Sequence, residues 1–178
     1  IHFAAQAIAA GDMDVVIAGG IEMMSRVPMG LDWPKTWPAD FPFSLVNQGL
    51  AAEMIAERWH LSRQDLDRYA FASHVKAGVA TKHGDFVHEI VPINFTTPDG
   101  KAGRLKHDEG VRPEPNLAKM MQLKPAFKPN GLITAGNSSQ ISDGSSAILL
   151  MSLERALRLG LKPRARLVAR SVVGSDPV

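Results

Sequence analysis

The sequence predicts an α/β protein built in layers, and two observations carry that expectation. Within the first 20 residues an Ala-rich helical stretch, a glycine stop and a short apolar strand follow one another, the order in which a helix packs on a buried sheet. The composition, 45% hydrophobic and 21% charged over 178 residues, is that of a globular chain with material for one ordinary domain or parts of two. Disordered and collagen-like chains are thereby excluded. There is no Cys, which rules out disulfides, thiolate metal sites and a thiol nucleophile among these residues.

Taken in order, Ile1, Ala4, Ala5 and Ile8 share one face of a buried amphipathic helix that Gly11 stops. Asp14 to Ala18 reads as a strand apolar on both faces, hence central, and Gly19-Gly20 ends it. From Arg26 to Pro42 the periodicity collapses: Pro28, Pro34, Pro38 and Pro42 break any helix, with Trp33, Trp37, Phe41 and Phe43 among them. Gly49 to Trp59 resumes a helix with Leu50, Met54 and Ile55 on one face. Ser62, with Asp65 three residues on, opens a second that Gly84 closes after His83. Phe86 to Val91 reads as a strand, Pro98-Asp99-Gly100 as a turn, and Lys101 to Pro115 as an exposed charged loop. Leu117 to Leu123 predicts a short helix and Ala147 to Met151 a strand. Ser152 then caps a helix that Gly160 closes, and Arg166 to Val173 reads as a last strand.

The small polar run from Thr134 to Ser146 is the most informative stretch for chemistry. It is either a turn-rich entry into a strand or a place where a ligand with amide or phosphate groups meets exposed backbone N–H groups. It holds neither a nucleophile elbow nor a P-loop, so those hydrolase and nucleotidase readings fail. The histidines (His2, His60, His74, His83, His88, His107) are scattered without metal-ligand spacing. Lys101, Arg104, Lys106 and Arg112 are either a solvated loop or a seat for one anionic phosphate. The aromatic cluster packs on its own domain, lines a pocket or makes an oligomer contact. A net charge of +2 without interleaved aromatics argues against nucleic acid. No run approaches the roughly 20 apolar residues of a membrane span and no secretory leader opens the sequence, so a cytoplasmic protein is expected. With Ile1 first and Val178 last, both ends are expected to be cut from something longer.

Two long stretches in register then resemble the thiolase family. Gly11-Asp12-Met13-Asp14-Val15-Val16-Ile17-Ala18-Gly19-Gly20-Ile21-Glu22-Met23-Met24-Ser25 is similar to the family's GD-x-D-VV-x-AGG-x-E-x-MS segment. Thr134-Ala135-Gly136-Asn137-Ser138-Ser139, with Asp143-Gly144 and the strand to Met151-Ser152, resembles its TAGN-x-S-x-x-x-DGA segment. Gly49 to Glu53, Leu61-Ser62-Arg63, Asp85 to Pro92 and Lys124-Pro125-Ala126-Phe127 fall between them in the family's order, so the resemblance covers essentially the whole chain.

The resemblance implies a layered α/β/α/β/α fold, incomplete here, with an inserted α+β loop domain. Residues 1–25 would be the tail of the N-terminal half, 26–139 the loop domain covering coenzyme A and making oligomer contacts, 140–161 a return to the first half, and 162–178 the start of the second. It implies an acyltransferase that interconverts 3-ketoacyl-CoA plus CoA with acetyl-CoA plus a shortened acyl-CoA. Coenzyme A would be substrate rather than permanently bound cofactor, and the parent a homo-oligomer. Ala135 and Ser139 match positions contacting the pantetheine arm, Phe127 one near it, and Arg112 one near the nucleotide end, where a guanidinium suits several phosphate charges. Asn47 and Gln48 stand where some members carry His-Met beside the acyl pocket, a departure that leaves longer or bulkier acyl chains open. The family's nucleophilic Cys lies before the position of Ile1, and its other catalytic segments lie beyond Val178. No residue here is therefore assigned a catalytic role, and the chain alone is expected to be inactive. A non-catalytic module for binding CoA or acyl-CoA, or for oligomerisation, is the alternative.

Overall fold

Capping residues decide where the helices begin and end. In the computed structural model, which describes residues 1–175 and residue 178, α1 runs over His2–Ala10 and stops at Gly11, whose φ of 82° is the left-handed conformation that glycine adopts freely. Helix α2 (Gln48–Arg58) is capped by Asn47, whose side chain accepts from the Gly49 N–H. Helix α3 (Arg63–His83) starts with a full capping box: the Ser62 hydroxyl accepts from the Asp65 N–H while the Asp65 carboxylate accepts from the Ser62 N–H. Gly84 closes α3 at φ 77°. Asn116 caps the short α4 (Leu117–Met121), and Ser152 caps α5 (Leu153–Arg158).

The chain divides into two compact units, one made of Ile1–Phe43 with the segment that begins at Ile141, the other of Ser44–Gln140. In the first unit, β1 (Val15–Glu22) pairs antiparallel with β4 (Gly144–Met151), with Val15 opposite Met151 and Glu22 opposite Gly144. The far end of this ribbon is held by Asp143, which accepts from both the N–H and the hydroxyl of Ser25. Trp33, Trp37, Phe41 and Phe43 form a run of ring contacts with centroids 6.1, 4.7 and 5.8 Å apart. In the second unit, β2 (Ile93–Thr96) and β3 (Ala102–Leu105) form a hairpin closed by the Thr97–Lys101 turn, and α4 packs on α3. Among the described residues these two ribbons are the only sheets, so the chain is a mixed α/β protein with small sheets.

Several sequence expectations need correction. Gly19-Gly20 does not end β1, which continues to Glu22; a Cβ at Gly19 would come 2.9 Å from the Ser146 carbonyl, so glycine lets the two strands close up. Nor is the β1 strand central: among the described residues it has one partner, and Ile17 and Ile21 are exposed. The α1 helix likewise has no fully buried residue. Both follow from a thin core. Only Ala56, Met120, Ile133 and Ala156 are buried apolar residues among those described, and the chain exposes 14806 Å². A self-contained domain of its mass exposes roughly 8,500 Å². The apolar face expected for α2 (Leu50, Met54, Ile55) points outward, and Gly49, Glu53 and Ala56 are buried instead.

Phe86 to Val91 is a series of turns rather than a strand. The Pro98-Asp99-Gly100 turn sets a register that pairs Ile93 with Leu105, and the charged residues beyond Leu105 offer no partner further out. For the same reason the predicted loop from Lys101 contains β3. Arg166 to Val173 is irregular, because no strand among those described lies beside it to complete a ladder. Residues 176 and 177, at the end of the segment read as opening a second half, lie outside the described residues.

Candidate functional site

Helix α3 is the seat of the second unit. Residues three or four apart share a helix face, and Arg63, Asp67, Phe71, His74 and Gly78 form its inward stripe, with Asp67 and Gly78 fully covered. Three separate segments are fastened to that stripe. At its start, the Arg63 guanidinium donates to the Met120 and Leu123 carbonyls at 2.8 and 3.0 Å and pairs with Asp67 at 2.7 Å. One turn on, Asp67 accepts from the Asn137 side-chain amide at 2.9 Å. Further along, His74 Nδ1 accepts the Arg112 N–H at 3.2 Å, and Pro113 lies over Gly78.

The loop from Gly131 to Ser138 is held from a second side by Glu53 of α2. Its carboxylate, 1% exposed, accepts from the Leu132 N–H with both oxygens at 2.9 Å and from the Ile133 N–H at 2.8 Å. Inside the loop, Asn137 Oδ1 accepts from the Thr134 N–H, Thr134 Oγ1 from the Gly136 N–H, and the Ser138 hydroxyl donates to the Thr134 carbonyl. Small hydroxyl and amide side chains thus satisfy local backbone groups that would otherwise be stranded under cover. Thr134 is fully buried while its neighbour Ala135 faces solvent.

These ties gather the segments bearing all six residues named from the sequence. The Ala126 N–H donates to the Ile133 carbonyl and Pro125 bridges Thr134, which ties the Phe127 segment to the loop that carries Ala135. The Phe127 ring lies on Gly49, where a Cβ would overlap it, so Asn47 and Gln48 sit at the same place. Gln140 donates to the Gly110 carbonyl at 2.6 Å, which ties the Ser139 segment to the loop carrying Arg112. Asn47, Gln48, Arg112, Phe127, Ala135 and Ser139 are all exposed. Asn47 is committed to capping α2. No ion pair of the Arg112 side chain is seen among the described residues, whereas Lys128, beside Phe127, is paired with Glu57, which raises its pKa above the usual lysine value.

The residues that sequence reasoning missed are those that hold these segments rather than face solvent: Glu53, Asp67, Arg63 and His74. Buried charged residues are rare unless paired, and a polar stripe at helical spacing inside α3 was the available signal. Among the described residues no cluster of His, Asp and Glu is arranged to hold a metal ion, and no helix is long and apolar enough to cross a membrane.

The family model for the thiolase N-terminal domain matches residues 1–154. The chain belongs to the thiolase family. Its relatives include the 3-ketoacyl-CoA thiolases of Yersinia pestis (strain Pestoides F), 45% identical over 180 aligned residues, and of Serratia proteamaculans (strain 568), 46% identical over the same span. That of Pectobacterium carotovorum subsp. carotovorum (strain PC1) is 43% identical. Each alignment covers 99% of this chain and 46% of the relative, so the chain spans about half the length of the curated thiolases it matches. The thiolase motifs named from the sequence fall on both units: the first on β1 and the turn clamped by Asp143, the second on the Gly131–Ser138 loop held by Glu53 and Asp67 and then on Asp143 and β4.

Proposed function

We propose that this chain supplies coenzyme A-holding elements of a 3-ketoacyl-CoA thiolase, an acyltransferase that converts 3-ketoacyl-CoA and CoA to acetyl-CoA and a shortened acyl-CoA, or runs the reverse condensation. The observation that carries the reading is the common seat on α3. One helix fastens the loop bearing Arg112 and the loop bearing Ala135 and Ser139, so a cationic side chain and a small, polar backbone surface are held in one rigid unit. A nucleotide carrying several phosphates, joined to an extended amide arm, has that chemistry: charge at one end and backbone-like hydrogen bonding along the other.

In this reading residues 1–25 and 140–161 belong to the first half of a layered thiolase fold, residues 26–139 form its inserted loop domain, and residues 162–178 open the second half. Arg112 meets the nucleotide end, Ala135 and Ser139 line the pantetheine arm with Phe127 beside them, and Asn47 and Gln48 border the acyl pocket. The working enzyme is a cytoplasmic homo-oligomer. Acyl transfer through a thiolate needs a Cys, and the sequence has none. This chain by itself binds CoA without turning it over.

Calorimetric titration of CoA into the chain tests the reading. Saturable binding, weakened by both Arg112→Ala and Ser139→Ala, is expected. A chain that is folded by circular dichroism and binds no CoA would overturn it.

A further inference from the structure

We infer that His74 is a positioning residue for the nucleotide end of coenzyme A, acting through the backbone of Arg112. The inference rests on the functional reading above and adds a residue to it. Arg112 is followed by Pro113, which biases it toward extended backbone, while its own N–H remains a donor. That N–H meets His74 Nδ1 at 3.2 Å. An imidazole nitrogen accepts a hydrogen bond only through its lone pair, so this geometry requires the neutral ring with its proton on Nε2.

The hold is not isolated. Two residues before Arg112, the Gly110 carbonyl accepts from Gln140 at 2.6 Å, and the bare face of Gly110 is what admits the Gln140 amide, since a Cβ there would overlap it. One residue after, Pro113 rests against Gly78, one helical turn beyond His74 on the same stripe. The loop is therefore fixed at 110, 112 and 113. Only the hold at 112 acts on the residue that carries the guanidinium. His74 is half-buried on a helix whose two ends are capped, so its ring sits on a rigid support. Fixing the Arg112 backbone leaves only side-chain rotation to be lost when the guanidinium meets a phosphate, which favours binding without a direct contact from His74.

The test uses the full chain with His74→Leu and His74→Asn, because an Asn side-chain oxygen can take the place of Nδ1 as acceptor while Leu cannot. The first readout is hydrogen–deuterium exchange at the Arg112 amide. The second is calorimetric affinity for CoA, for adenosine 3′,5′-bisphosphate and for pantetheine. His74→Leu is expected to speed exchange at Arg112 about ten-fold while other α3 amides stay protected. It should weaken CoA and the bisphosphate about five-fold, the scale of one lost hydrogen bond. Pantetheine affinity stays unchanged, and His74→Asn restores the wild-type values. If wild type binds CoA and His74→Leu changes neither exchange nor affinity, the inference fails and the functional reading stands. Equal weakening of pantetheine would also overturn it, since that marks general loosening of the unit. A wild-type chain that binds no CoA overturns both.

Discussion

Replacing Glu53 by Gln probes the network that shapes the Gly131–Ser138 loop, and the structure gives the size of the effect. Glu53 is 1% exposed and its two oxygens serve two backbone N–H groups, Leu132 and Ile133, through three contacts of 2.8 to 2.9 Å. Hydrogen bonds to a charged acceptor contribute about 1.5–3 kcal/mol each, and a neutral one about 1 kcal/mol. A Gln with its oxygen in the place of Oε1 still accepts from both N–H groups, but its NH₂ then stands where Oε2 accepted the Leu132 N–H, donor against donor. Rotation cannot relieve this, because the carboxylate is already seated where a Cβ on Gly131 would stand. Exchanging two charge-assisted bonds for two neutral ones costs about 1–4 kcal/mol, and the donor-against-donor contact at Leu132 adds to it. Urea denaturation followed by far-UV circular dichroism measures the change, and exchange at the Leu132 and Ile133 amides localises it. A midpoint within experimental error of wild type, with both amides still protected, would refute the claim that Glu53 holds this loop.

Gly49→Ala separates packing from helix preference. Alanine is favoured over glycine in a helix by about 1 kcal/mol, but its Cβ would overlap the Phe127 ring. That ring is 41% exposed and free to swing outward, so thermal stability should hold to about 1 kcal/mol while CoA affinity falls; an unchanged affinity would count against a role for Phe127. Asp143 gives a pH signature. Hydrogen bonds from the Ser25 hydroxyl and N–H hold its carboxyl below the ordinary 3.8. A depressed folded pKa means that its contribution is fully present above the unfolded value and is lost as the pH falls through the folded one. Denaturation midpoints of wild type and Asp143→Asn should therefore differ by a constant amount above that ordinary value and converge below it; a gap that persists into acid would contradict the clamp.

Local signals in the sequence placed the helices well. Gly11, Ser62 with Asp65, Gly84 and Ser152 each act where capping chemistry says they should. Strands were harder, since a strand exists only with a partner: the alternation at 86–91 finds none, whereas the less patterned 102–105 finds β2 because a tight turn delivers it. Burial failed for a related reason. Ile1 and Ile17 read as buried and stand exposed, because apolar pattern reports what a residue would prefer to cover and not what lies over it. Of the candidate site, Ala135 and Ser139 were legible in the second thiolase-like motif, and Asn47, Gln48, Arg112 and Phe127 through the resemblance between the two motifs. Its supports were not. Glu53 and Asp67 look like surface charges until α3 and the Gly131–Ser138 loop meet over them, 79 and 70 residues apart in sequence.

Mapping CoA onto the chain by amide chemical-shift perturbation tests the central claim most directly. If the α3-seated segments form one CoA-holding surface, shifts should cluster at residues 47–49, 110–113, 126–127 and 134–139, with the amides of residues 1–43 unmoved. Saturable perturbation confined to residues 1–43, or none at CoA concentrations that saturate a thiolase, would contradict it.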